Sequence, residues 1–317
     1  MMQAITHTTY GGPETLELVS MARPEPGPRE IRIRLAASSV NFGDWVTLTG
    51  RPWLSRLFLG LFKPRQPIMG MDAAGVVDAV GSEVTRFTTG QRVFGEIRGA
   101  YAEYACASES AFALIPEGQS FETAASIPVA GVTALQGLRD VGQVSPGDRV
   151  LINGASGGVG SFAVQVARAL GAEVTGVCSG RNLDRVRSLG AHHVVNYMTE
   201  DFTASDARYD VIFDLVGSAS ITACRRLLRP DGVYVSSVGR TEWLFKTLWS
   251  MVGHRRHVKL FAARPQADDL ATLAEMLNAG AIQPLIDQQY TLAEIPQALA
   301  YQCAGHTQGK SIITIGS

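Results

Sequence analysis

The stretch best equipped for chemistry is Gly154-Ala155-Ser156-Gly157-Gly158-Val159-Gly160. It follows a short apolar run, DRVLING, and leads into a segment with apolar residues at Val159, Phe162, Ala163, Val166, Ala167 and Leu170. Those positions share one helical face, and Gly171 stands where a helix commonly stops. A glycine-rich turn between strand and helix aims unpaired N–H groups at an anion. Against G-x-G-x-x-G the three positions are Ala155, Gly157 and Gly160, so alanine replaces the first glycine. Gly157 lets backbone approach a pyrophosphate, with Ser156, Gly158 and Val159 beside it, and Gly160 lets the helix pack on the strand. About 20 residues further on, a carboxylate would bind the ribose 2′-hydroxyl of NAD. The chain instead reads Val177-Cys178-Ser179-Gly180-Arg181, a hydroxyl and a guanidinium that suit a 2′-phosphate. Arg181 also fits a solvated residue at a helix start.

Other reactive side chains have simpler readings. Asp44 and Asp72 read as ionic or hydrogen-bonded structural residues. His192-His193 leads into a strand and reads as surface, and His254-Arg255-Arg256-His257 as a solvated basic loop. Ser156 is no nucleophile, since no His/Asp pair is indicated for it. The four cysteines, Cys106, Cys178, Cys224 and Cys303, are scattered without C-x-x-C spacing, which favours a reducing cytoplasm over a disulfide framework.

The elements that must position these residues fall into two textures. The first third is β-rich: IRIRLAASSV alternates, and AAGVVDAVG and RVFGE are short apolar runs between turns. From about residue 123, strands DRVLING, EVTGVC, HHVVNY, YDVIFDLVG, GVYVSSVG and VKLFAA alternate with helices such as LDRVRSLG and TACRRLL. That alternation predicts a parallel sheet covered on both faces, a doubly wound Rossmann α/β arrangement. The tail holds helices in ADDLATLAEMLNAG and LAEIPQALAYQ and ends in SIITI, a strand placed to rejoin the first sheet.

Composition bounds the function. With 317 residues, 46% hydrophobic and 18% charged, the chain is a two-domain globular protein rather than a disordered or fibrous one. A formal net charge of −1 provides no field for nucleic acid or an anionic membrane, which leaves a small-molecule partner. The N-terminus lacks the pattern of a signal peptide, and no stretch reaches the roughly 18 apolar residues of an integral membrane segment.

NGASGGVG, preceded by AASIPVAGVTALQGL and followed by SLGAHHVVNYMTEDF, resembles the medium-chain dehydrogenase/reductase superfamily, in its zinc-free, quinone-oxidoreductase-like branch. SVNFGDW, GMDAAGVVDAVGSEVTRFTTGQRVFG, GAYAEYACASES and GKSIITI carry the resemblance across nearly the whole chain. It implies a discontinuous GroES-like β-barrel catalytic domain at 1–122 and 264–317, and a Rossmann NADP-binding domain at 123–263. It implies nicotinamide in the cleft between them, near Asn41 and Thr133, which become the catalytic candidates. Ser156 to Gly160 would hold the pyrophosphate, and Ser179, Arg181 and Tyr197 the 2′-phosphate. Ser236, Val238 and Phe261 would line the nicotinamide, and Lys310 would reach the cofactor phosphates. No metal is expected, because relatives that bind zinc have cysteine at Asn41 and histidine at Met71. A homodimer is implied by resemblance alone.

The expected activity is NADPH-dependent reduction of a lipophilic quinone or α,β-unsaturated carbonyl compound. A metal-free NADP-dependent alcohol/ketone dehydrogenase and a non-catalytic NADPH-binding regulatory protein remain alternatives. The apolar segments Trp53 to Phe62 and Trp243 to Val252 read either as a roof over lipophilic substrate or as a dimer contact or core.

Overall fold

The computed structural model describes residues 1–237, 258–305 and 307–316. The chain forms two compact units, one of residues 1–129, 265–278 and 284–317, the other of residues 130–264 and 279–283.

In the first unit, strand Glu30–Ser39 is the centre of a seven-stranded sheet. It pairs antiparallel with Asp72–Val80, with Tyr104–Ser108 and with the closing strand Lys310–Thr314. The closing strand therefore does rejoin the first sheet, with Ile312 opposite Ser39 and Ile313 opposite Ser38. The alternation in IRIRL sends Ile31, Ile33 and Leu35 into a core with Val77, Val93, Tyr101, Phe112 and Ile313. Helix Ile295–Cys303 adds Ile295, Ala298 and Leu299 to that core.

The second unit is a six-stranded parallel sheet. Its order is His193–Asn196, Glu173–Cys178, Arg149–Asn153, Tyr209–Asp214, Leu228–Ser237 and Val258–Phe261. Numbered along the chain this is 3-2-1-4-5-6, the doubly wound order, with its switch point between Arg149–Asn153 and Tyr209–Asp214. Helix Gly158–Ala169 buries Phe162, Ala163, Val166 and Ala167, the face its periodicity predicts.

The boundaries differ from those at 122/123 and 263/264. Helix Phe121–Ala125 packs on strands Glu30–Ser39 and Asp72–Val80, so the first unit extends to residue 129. Arg264 goes to the second unit, where its N–H donates to Gln136 Oε1 and its carbonyl accepts from Gln136 Nε2. Residues 279–283 join it too, because the Gln165 amide donates to Gln283 O and accepts from Gln283 N–H. Hydrophobic periodicity is blind to such backbone-to-amide locks.

Candidate functional site

In the second unit the glycine-rich turn begins as strand Arg149–Asn153 ends. Gly154 takes φ 90°, whereas Ala155 does not have a positive φ, and the N–H groups of both donate to Val177 O on the neighbouring strand. Gly154, rather than position 155, thus supplies the left-handed turn. Ala155 is fully buried beside Gly176. A Cβ on Gly160 would lie 2.0 Å from Gly154 O, so the helix approaches its strand only through glycine there.

Gly157 is different. It caps the helix with extended backbone, φ −78° and ψ 178°, and a Cβ on it would meet only Gly154 O at 3.5 Å, an ordinary contact. Among the described residues nothing requires glycine at 157. The open space lies at a helix N-terminus, whose first N–H groups lack intrahelical partners, so it fits an anionic group approaching from outside.

The switch point is pinned by side chains. Asn153 Nδ2 donates to Asp214 Oδ1 at 2.9 Å, and that oxygen also accepts the N–H groups of Val216 and Gly217. Asp214 Oδ2 accepts from Tyr234 Oη at 2.6 Å. Ser236 Oγ donates to Asp214 O at 2.6 Å, so this hydroxyl serves the same clamp. Phe261 packs its ring 6.1 Å from that of Phe213, and both close over Gly137. Val238, the segment Trp243 to Val252 and the basic cluster 254–257 lie outside the described residues.

The turn after strand Glu173–Cys178 carries Ser179, 8% exposed, and Arg181, exposed on the short turn Gly180–Asn182. Tyr197, exposed, follows the adjacent strand, and its N–H donates to Cys178 O at 3.1 Å. Beside it a cleft of about 600 Å³ opens between residues 197–203 and 218–223 at the carboxyl edge of the sheet. That edge is where doubly wound sheets take ligands. Thr133, 8% exposed, lies on helix Pro128–Leu135.

In the first unit the sequence candidates Asn41 and Lys310 come together. Strand Lys310–Thr314 and the start of helix Phe42–Thr49 bring Lys310 Nζ to 2.5 Å from Asn41 Oδ1, 3.2 Å from Val40 O and 3.1 Å from Asp72 Oδ2. Asn41 Nδ2 donates to Asp72 Oδ2 at 2.8 Å and to Ser39 O at 3.4 Å. The ammonium and the carboxylate fix which way this amide points, since only its oxygen can face a cation. Asp72 also accepts from Ser39 Oγ and, at 2.8 Å, from Val129 N–H. Lys310 is 3% exposed and Asp72 fully buried, so the ammonium is spent inside this network rather than offered to a phosphate.

Asn41 occupies the helix N-cap position in a capping box with Asp44, whose carboxyl accepts the Asn41 N–H at 2.8 Å and Tyr101 Oη at 2.9 Å. Burial pushes the Asp44 carboxyl up to about 7, with Asp72 adding repulsion against the pull of the Asn41 N–H, Tyr101 and Lys310. Burial raises Glu96, opposite Asp72 in the sheet register, to about 7 as well. Asp44 and Asp72 are the hydrogen-bonded structural carboxylates that the sequence indicated.

Among the described residues no group of three His, Cys, Asp or Glu side chains converges to hold a metal ion. The donor set around Asn41 does not suit zinc either, for its amide oxygen already faces an ammonium. Among the described residues no helix is long and apolar enough to cross a membrane. Trp53, Leu57, Phe58, Leu61 and Phe62 are exposed, Phe62 at 90%.

Residues 27–117 match the alcohol dehydrogenase GroES-like domain, and residues 189–313 match a family described as zinc-binding dehydrogenase. The chain is 32% identical to a quinone oxidoreductase of Pseudomonas aeruginosa, over 99% of each chain. The quinone oxidoreductase structure from Coxiella burnetii superposes with a TM-score of 0.91 at 30% identity, covering 99% of both chains. That of the Escherichia coli quinone oxidoreductase complexed with NADPH gives 0.84 at 26% identity, over 98% of this chain and 99% of that one. With the 3-2-1-4-5-6 sheet, the glycine-rich turn and the strand that returns to the first unit, these likenesses lead to one conclusion: the chain is an oxidoreductase with an NAD(P)-binding fold and belongs to the quinone-oxidoreductase-like branch of the medium-chain dehydrogenase/reductase superfamily.

Proposed function

We propose that this chain is a zinc-independent, NADPH-dependent reductase of quinones or α,β-unsaturated carbonyl compounds. The observation that carries the cofactor choice is the turn after the second Rossmann strand, where Ser179 and exposed Arg181 stand in place of a carboxylate. A carboxylate would repel a 2′-phosphate; a guanidinium pairs with it. Tyr197, at the end of the adjacent strand, joins the start of the same turn through its N–H, which donates to Cys178 O. Ser156 and the N–H groups of Gly158, Val159 and Gly160 would hold the pyrophosphate beside Gly157, whose own N–H donates to Gly154 O.

When bound, the reduced cofactor supplies a hydride to the electron-poor carbon of the substrate. The protein's task is to orient the partners and stabilise the charge that gathers on the substrate oxygen. The second Asn41 amide hydrogen is a donor for that oxygen, since its 3.4 Å bond to Ser39 O is weak and an anionic oxygen is a better acceptor than a carbonyl. Water completes the product by donating a proton. Lys310 acts in this reading through Asn41, holding its amide oxygen so that the NH2 group alone faces acceptors.

Following NADPH consumption with quinones, enones, simple ketones and, in reverse, alcohols tests the reading. Turnover of quinones or enones, unaffected by metal chelation, is expected. Turnover confined to ketones and alcohols, or activity that chelation abolishes, would overturn it. Likeness to the two quinone oxidoreductases, one of them complexed with NADPH, supports this reading.

A further inference from the structure

Asn182 precedes helix Leu183–Ser188 at its N-cap position, yet its side chain makes no capping bond. The amide turns inward instead and is 3% exposed. Its Nδ2 donates to Ser156 Oγ at 3.0 Å and to Ser179 Oγ at 3.1 Å. Its Oδ1 is buried and meets no partner among the described residues. The two serines lie 23 residues apart in the chain, one on the glycine-rich turn and one on the turn after the next strand.

The orphaned oxygen shows what this arrangement preserves. Rotating the amide would let Oδ1 accept both hydroxyls, but it would strand two buried N–H donors in place of one acceptor. The observed orientation is therefore the cheaper one. It assigns both serine oxygens as acceptors toward the protein, so each keeps its own hydrogen to donate outward. Two outward O–H donors are what anionic oxygens require.

We infer that Asn182 is a positioning residue for the dinucleotide: its NH2 group sets the Ser156 hydroxyl to donate to the pyrophosphate and the Ser179 hydroxyl to donate to the 2′-phosphate. This rests on the NADPH reading of the same turn. The Ser156 arm acts on any nicotinamide dinucleotide, whereas the Ser179 arm acts only where a 2′-phosphate exists. One buried amide thus couples general affinity to cofactor choice.

The test is a pair of double-mutant cycles read by calorimetric binding of NADPH and NADH to the cofactor-free protein. Asn182→Leu keeps the side-chain shape and removes the donors, and Asn182→Ala serves if Leu does not fold. Ser179→Ala in the wild type should weaken NADPH about tenfold. In the Asn182→Leu background the same change should weaken it by less than about threefold, with NADH unaffected in both. Ser156→Ala should show the same coupling to Asn182 for both dinucleotides. Because Leu also removes the orphaned oxygen, the cofactor-free melting temperature should hold or rise. If each serine costs the same factor with and without Asn182, the inference fails while the NADPH reading stands. If the wild type binds neither dinucleotide, both fail.

Discussion

Gly157 and Gly160 lie three residues apart, and opposite answers are expected when each becomes alanine. At Gly160 the new Cβ would sit 2.0 Å from Gly154 O and 2.9 Å from Ala155 Cα, both backbone atoms that cannot rotate away. Overpacking of that kind costs about 3 kcal/mol, the upper end of its usual range. At Gly157 the backbone is already extended and the nearest atom is 3.5 Å away. Alanine is a poorer N-cap than glycine by less than about 1 kcal/mol, and stiffening the unfolded chain returns about 0.4–1 kcal/mol. The net effect on the cofactor-free protein is within about 0.5 kcal/mol of zero. Yet a methyl there occupies the space a pyrophosphate needs. Losing one charge-assisted bond costs about 1.5–3 kcal/mol, or about ten- to a hundredfold in NADPH affinity. Urea unfolding of the cofactor-free variants and calorimetric binding of NADPH separate the two effects. Wild-type NADPH affinity in Gly157→Ala, or a stability loss above about 2 kcal/mol, would show that glycine 157 serves the fold and refute the cradle.

Lys310→Met should cost about 3–5 kcal/mol in the first unit, because Asp72 would keep a fully buried charge without its ammonium. Adding Asp72→Asn should recover much of that loss, whereas strictly additive urea midpoints would contradict the pairing. Asp44 gives a pH signature. Its carboxyl, raised from 3.8 to about 7, holds a proton in the folded chain that the unfolded chain has released. Stability is therefore highest below about pH 4 for this group and falls as pH rises toward about 7, by up to about 4 kcal/mol. Asp44→Asn should flatten that slope between about pH 4 and pH 7, leaving the share due to Glu96; an unchanged slope would contradict the buried carboxyl as its source.

The helix after the glycine-rich turn and the returning strand SIITI show in the sequence as apolar runs bounded by turn residues, although their burial runs unbroken through residues 160–167 and 310–313 rather than with a period of 3.6 or 2. Gly154 was overlooked as the turn glycine because the fingerprint register pointed at Ala155, and sequence cannot display a positive φ. Asn41 and Lys310 were both singled out, but their meeting at 2.5 Å joins residues from opposite ends of the chain. No local pattern encodes that contact. Asn182 was not singled out at all, since an asparagine before a helix reveals nothing of where its side chain turns. Asp214 shows the same limit, since a carboxylate ending a strand reveals nothing of the Asn153, Tyr234 and backbone donors gathered around it.

On the reading proposed above, this oxidoreductase takes NADPH, selected by Arg181 and Ser179. The most direct test is the affinity of the wild type and of Arg181→Ala for NADPH and for NADH, measured by calorimetry under the same salt. The wild type should prefer NADPH, and Arg181→Ala should lose about ten- to a hundredfold for NADPH while NADH changes little. Equal losses for both dinucleotides would make Arg181 a structural residue, and a wild-type preference for NADH would contradict the claim.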